Sequence, residues 1–261
     1  MNARQITAGI CGLAIAMLLG ALSPGARAQG SHAHRHGIGG NHDARPSDPA
    51  ATWPAQAPLP ALSARWLVRF EPHGAKAQEQ TWELHRSADR IVWSRSHALD
   101  EVWQRDASGI SLRRVMHPQR HVIEYTAGEL RTLGVEKDWR ELGMLFAERD
   151  LAALKPVGTR ARGGPQRLRG TVAGEQVDLL WDAHARLPVV LVQTSPRGRV
   201  RYERVAVEPG ADTAHAWSGD ARSADYTRID AADFGDMERH PVVRIAMALD
   251  ERLGWRRAHR H

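Results

Sequence analysis

The stretch Val177–Val207, VDLLWDAHARLPVVLVQTSPRGRVRYERVAV, decides how the rest of the chain is read. Val177, Leu179 and Trp181 alternate with Asp178 and Leu180, and Asp182 to Arg186 makes a loop. Leu187-Pro188 then opens VVLVQTS, Ser195-Pro196-Arg197-Gly198 turns, and VRYERVAV runs back. Apolar and β-branched residues at period two, bounded by turn residues, predict three successive antiparallel strands. Pro188 fits the first residue of a strand, where no backbone N–H is needed for the ladder.

The same period extends upstream. ARWLVRFE puts Trp66, Val68 and Phe70 on one face, QTWELHRS aligns Trp82 with Leu84, and RIVWSRS aligns Ile91 with Trp93. LDEVWQRD, ISLRRVM and HVIEYT follow, separated by turns at Asp106–Gly109 and His117–Arg120. Short strands at this spacing, with no helices between them, make an antiparallel meander.

Two segments change to the helical period. In DWRELGMLFAERDLAALK, Trp139, Leu142, Leu145 and Phe146 share a face, Asp138 and Glu141 form a variant capping box, and Pro156 ends the run. Gly143 and the drifting register predict two short helices or one kinked helix across the apolar face of the sheet. Near the end of the chain, Pro241 suits a first helical position, Val242, Ile245, Ala246, Leu249 and Leu253 form a stripe, and Gly254 suits the C′ position. The expected fold class is therefore mainly β with helices (α+β). It is a curved antiparallel sheet, or half-open β-barrel, covered by a helical segment at about 138–155, with a C-terminal helix.

The N-terminus reads as an export signal. Arg4 precedes an apolar run from Ile10 to Leu22, and Ala26-Arg27-Ala28 fits a cleavage site, so residues 1–28 are expected to be a signal peptide and the mature protein periplasmic. The apolar run is too short for a stable membrane span. Residues 29–60, rich in Gly, Pro, Ala and His, are expected to be a disordered linker. Residues 61–208 are assigned to the half-barrel, and residues 209–261 to a second linker and the last helix. Cys11, the one cysteine, lies in the signal, so cleavage leaves no thiol for disulfides, Cys nucleophiles, Cys-ligated zinc or iron–sulfur clusters. Net charge is +6, and losing Arg4 and Arg27 leaves +4 with acids interspersed among the bases. Only Arg160–Arg169 and the tail Arg256–His261 approach a basic stripe, so nucleic acid is not expected as a partner.

Candidate chemistry falls into four groups. Trp66, Trp82, Trp93, Trp103 and Trp181 occupy alternating positions in five strands; with Phe146 they would line one apolar surface, either as core or as a ligand face. His32, His34 and His36, followed by His42, form a pattern that can chelate Ni, Cu or Zn, and His117 and His121 flank a Pro-Gln-Arg turn beside Met116, where they could face each other and hold Cu or Zn. Asp225, Asp230, Asp233, Asp236 and Glu238, with His240, cluster before the last helix; such carboxylates can bind a hard cation or do acid–base work, but with no DxDxDG loop present they are expected to complement the helix dipole. Neither GxSxG, HExxH nor GxxxxGK[ST] occurs, and Asp182, His184 and Ser195 sit at strand ends and turns without assembled partners.

Trp181-Asp182, the Leu187-Pro188 strand start, Val189–Val192, Gly198 and Tyr202 resemble the lipoprotein-carrier-like (LolA/LolB-like) periplasmic half-barrel superfamily over roughly Ala64 to Val207. The resemblance implies a curved sheet whose concave face, lidded by helices, holds acyl chains. The chain departs from that superfamily's lipoprotein chaperones in its long tails and Arg-interrupted strands. The resulting expectation is a non-enzymatic periplasmic binding or scaffold protein for a hydrophobic small molecule, a lipid or a cell-envelope protein. Metal handling is one alternative, and an envelope hydrolase is another.

Overall fold

The computed structural model describes residues 58–159, 162–210 and 217–255. The predicted signal peptide, His32, His34, His36 and the basic tail lie outside them, as does nearly all of the predicted linker. The alternating runs become β1 (Leu62–Pro72), β2 (Gln78–Arg86), β3 (Arg90–Arg95), β4 (Leu99–Asp106), β5 (Gly109–Met116) and β6 (His121–Tyr125). After a helical passage come β7 (Leu154–Pro156), β8 (Gln166–Val172), β9 (Glu175–Asp182), β10 (Leu187–Ser195) and β11 (Gly198–Pro209), with β12 (Thr227–Asp230) later in the chain. All twelve join one curved, unclosed sheet in the order β12-β6-β5-β4-β3-β2-β1-β11-β10-β9-β8-β7. The opening stretch supplies β9, β10 and β11, and β11 closes back on β1 so that the two meanders share the middle of the sheet.

Pro188 shapes this junction. The β9–β10 register shifts between Pro188 and Val190, and β1 shifts against β11 between Arg65 and Trp66. Such bulges sharpen local twist and curvature. The Pro188 carbonyl also accepts the Trp66 indole N–H at 3.2 Å, satisfying a polar atom in the core.

One face of the sheet carries the main core, and the helical passage covers it. Helices α1 (Ala127–Thr132), α2 (Trp139–Leu142) and α3 (Glu148–Leu151) precede β7, and Met144, Leu145, Phe146 and Leu151 pack onto the sheet's tryptophans. Asp138 caps α2 by accepting from the Arg140 and Glu141 backbone N–H groups, as its position predicts. The run does not stay helical to Pro156: α3 ends at Leu151, and Leu154–Pro156 pairs with β8 as a strand. Sheet pairing outweighs the local helical pattern there. Arg86 ties the cover down, donating to the carbonyls of Pro60 (2.8 Å), Gly143 (2.6 Å) and Ala185. Burial, with Arg186 nearby, pulls this guanidinium down to about 9.

The segment after β11 departs furthest from expectation. Residues assigned to a linker form α4 (Gly219–Arg222), then β12, which pairs parallel with β6 at one edge of the sheet, then a 3-10 turn at Ala231–Gly235. The last helix, α5 (Pro241–Arg252), has Pro at its first turn and closes in a Schellman motif, with Gly254 at φ 73° and Trp255 N–H on the Asp250 carbonyl at 2.8 Å. The acidic cluster does not cap it. Its first turn holds no acid, and Asp230 instead caps the 3-10 turn through Ala232 N–H.

Candidate functional site

The inner face is built in two ways. Over β1–β3, Trp66 stacks on Trp93 with centroids 6.0 Å apart, Trp82 meets Trp93 edge-on at 6.5 Å and Tyr202 at 5.4 Å, and the Arg95 guanidinium lies 5.2 Å above Trp93. Trp93 N–H is spent on the Leu142 carbonyl at 2.7 Å. Trp66, Trp82, Trp93, Trp181 and Phe146 are at most 5% exposed and belong to the packed core.

Trp103 stands apart from this stack, one strand further along. It meets Trp255 edge-on at 6.1 Å, and Trp255 in turn meets Tyr125 at 6.2 Å. Behind this aromatic group lies a buried ionic network. Arg114 donates to Asp250 at 2.5 Å, to Glu101 at 3.4 Å and to the Tyr125 hydroxyl at 3.2 Å, while Arg95 holds the other Glu101 oxygen at 2.7 Å. Burial pushes the Glu101 carboxyl up, but Arg95 and Arg114 outweigh it and hold the carboxyl below the ordinary range. Burial likewise pulls Arg114 down, yet Tyr125, Glu101 and Asp250 together raise it.

In front of Trp103 opens a groove of about 300 Å³. Ile110, Ala127, Leu130 and Val135 give it apolar walls, and Arg131, Glu136 and Lys137 give it a polar rim. Helix α1 forms one side. Its start is a capping box in which Thr126 and Glu129 satisfy each other's backbone N–H groups, a signal present in the sequence as Thr-x-x-Glu and overlooked there. Gly109, at φ 125°, turns β4 into β5 beneath the helix; a Cβ there would come within 3.1 Å of the Ala127 Cβ, so the close approach needs glycine. Lys137 sits 5.9 Å from the Trp255 ring, and burial lowers its ammonium against the pull of Glu101 and Glu141. Among the described residues no carboxylate lies within ion-pair distance of Lys137.

The remaining candidates scatter. His117 and His121 do not face each other. His117 Nε2 is 2.6 Å from Asp100 Oδ2 and its Nδ1 is 3.2 Å from the Tyr226 hydroxyl, so both ring nitrogens are engaged and neither is left for a metal shared with His121. This contact belongs to the outer face, where Trp217 and Tyr226 cover Val92, Val102, Val115 and Val122, and Asp220 pairs with Arg90 and Arg113. Asp182 caps its own loop and pairs with Arg204, and Ser195 Oγ meets only turn backbone, so no hydrolytic triad forms from Asp182, His184 and Ser195. Among the described residues, no three or more His, Cys, Asp or Glu side chains converge as a metal site, and no helix is long and apolar enough to cross a membrane.

No family model matches the chain, and no curated protein matches it. Among solved structures it is similar to PNGF-II in two crystal forms at 11% identity, with TM-scores of 0.34 and 0.37, over 68% of this chain and 33% and 32% of theirs. The chain thus spans about a third of the length of those PNGF-II chains. It is also similar to a LolA superfamily protein from Nitrosomonas europaea at 8% identity and a TM-score of 0.26, over 59% of this chain and 88% of that one.

Proposed function

We propose that the protein is a non-enzymatic binding protein of the periplasm that holds a lipid-like anionic amphiphile in the groove at Trp103. The observation that carries this reading is the groove itself: apolar walls from Ile110, Leu130 and Val135 beneath a rim in which the cations Arg131 and Lys137 outnumber the one carboxylate, Glu136. Its volume is at the lower end of small-molecule sites, which suits one acyl tail segment better than a whole lipid. An acyl chain would bury against Trp103 and the aliphatic walls, gaining about 25 cal/mol for each Å² of apolar surface removed from water. A carboxylate or phosphate head would meet Lys137, whose exposed ammonium forms no ion pair with a described carboxylate, so the new charge pair would form without breaking an existing one. In this reading Trp66, Trp82, Trp93, Trp181 and Phe146 serve the ligand only as the rigid wall behind Trp103. The signal peptide at 1–28 and the linker at 29–60 belong to the same proposal, as does a half-barrel unit from residue 61 that β12 and α5 complete.

The test uses the full chain and a fluorescent fatty acid. Dodecanoate and dodecyl phosphate are expected to displace the probe, and dodecyltrimethylammonium is not. Ile110→Trp should fill the groove and abolish probe binding while leaving the thermal midpoint within a few degrees. An unchanged affinity in that variant, or no probe binding by the unaltered protein, overturns the reading.

A further inference from the structure

His121, expected to pair with His117, lies instead beside a histidine from a distant part of the chain. The His121 and His240 rings are 5.5 Å apart between centroids and inclined at 56°. Metal–nitrogen bonds of about 2.0 Å place the centroids of two imidazoles sharing one ion roughly 5–6 Å apart, so this spacing admits a bridging ion. His121 commits Nδ1 to the Gln119 carbonyl at 2.5 Å, which fixes its ring and leaves Nε2 to bind. A ring nitrogen held by a backbone carbonyl is the usual support for a metal-binding histidine. His240 Nδ1 is shut off from solvent and has no hydrogen-bond partner. A buried imidazole nitrogen left without a partner is costly, and an ion would relieve it.

A third donor is placed by the sheet. Met116 is paired directly opposite His121 in the β5–β6 register and is buried. Directly opposed residues have Cβ atoms about 5 Å apart, within reach of a thioether and an imidazole. Two neutral imidazoles and a thioether, with no third histidine or carboxylate converging among the described residues, are a poor set for zinc and a good one for a soft monovalent ion. The geometry points to a soft-metal site at His121, His240 and Met116 that takes Cu⁺ or Ag⁺. The site would join the start of β6 to the start of α5, a second tie between two elements already linked where the Tyr125 hydroxyl donates to Asp250 at 3.2 Å. It is independent of the groove at Trp103.

The test is calorimetric titration of the full chain with Ag⁺, plus anaerobic competition for Cu⁺ against bicinchoninate. A background with His32, His34, His36 and His42 all changed to Ala removes the N-terminal histidines from the count. That background is expected to bind one Ag⁺. His240→Asn keeps a good N-cap residue for α5 and is expected to weaken Ag⁺ binding at least a hundredfold, with His121→Asn doing the same. Met116→Leu conserves volume and is expected to weaken it about tenfold without lowering the thermal midpoint by more than a few degrees. No Ag⁺ bound by the four-Ala background, or binding untouched by His240→Asn, overturns the site. Binding untouched by Met116→Leu removes the thioether and with it the preference for soft ions.

Discussion

The two ends of the inner face come from one alternating pattern and do different things. Over β1–β3 the inward positions are Trp66, Trp82, Trp93 and Leu84, and they close on one another and on the helical cover. Over β4–β6 the corresponding positions include Glu101, Arg114 and Tyr125, and the cover is a short helix that stands off enough to leave a groove at Trp103. Hydrocarbon against hydrocarbon packs to density wherever shapes allow. A buried ion network instead demands fixed hydrogen-bond geometry, which holds β4, β5 and α5 at set distances and keeps the neighbouring groove from collapsing.

That contrast is open to attack at both ends. Trp93→Ala strikes the packed end and should cost about 3–5 kcal/mol in urea unfolding, the cost of a large core truncation. Fatty-acid affinity of the protein that remains folded should be unchanged; a parallel loss of affinity would show that the two ends are one site. At the ionic end, Asp250→Asn leaves Arg114 buried with less compensation and should cost about 3 kcal/mol. The double variant Arg114→Met with Asp250→Leu should cost less than Asp250→Asn alone, because no uncompensated charge stays behind. A double variant worse than the single would mean that the network contributes net stability rather than geometry.

Smaller effects sharpen the boundary. Lys137→Glu should weaken dodecanoate binding about tenfold while shifting stability by less than about 0.5 kcal/mol, since the exposed ammonium pairs with no described carboxylate and loses only a distant contact with the Trp255 ring. Far from both ends, Asp178 joins β8 to β9 by accepting from Arg167 and Arg169, and the bonds from Arg167 above all pull its carboxyl down to about 2. A carboxyl depressed in the folded state stabilises at pH above its ordinary value, and that contribution fades as pH falls through the ordinary value towards about 2. Asp178→Asn should therefore cost about 1 kcal/mol at pH 7, after allowance for solvent screening, and almost nothing at pH 2.

Much of the fold was legible because strand alternation is a local signal. Trp66, Val68 and Phe70 had to share a face whatever they packed against, and Pro188 and Gly254 announced a strand start and a helix end by their own backbone chemistry. The missed elements depend on distant partners. Leu154–Pro156 is a strand only because β8 offers it an edge, and Thr227–Asp230 only because β6 does. For the site, the sequence placed Trp103 on the inner face with four other tryptophans but held nothing to single it out. Its distinction comes from Trp255 and Lys137, which reach it through tertiary folding. His121 was expected to face His117, and it lies beside His240 instead. The four-residue spacing from His117 suggested a hairpin pair, while the structure turns His117 outward to Asp100 and brings His240 in from the start of α5.

The sheet never closes, and its ends carry a consequence for life at high concentration. An open sheet presents two rows of unpaired amides and carbonyls that invite another chain to add a strand. Here one border is β7, three residues long and ending in Pro156, which has no amide hydrogen to offer. The other is β12, four residues long and laid parallel rather than antiparallel. Both outer strands are thus too short, and one too proline-bound, to template the growth of fibrils, and a chain with so large an exposed β-architecture is guarded against polymerising through its own edges.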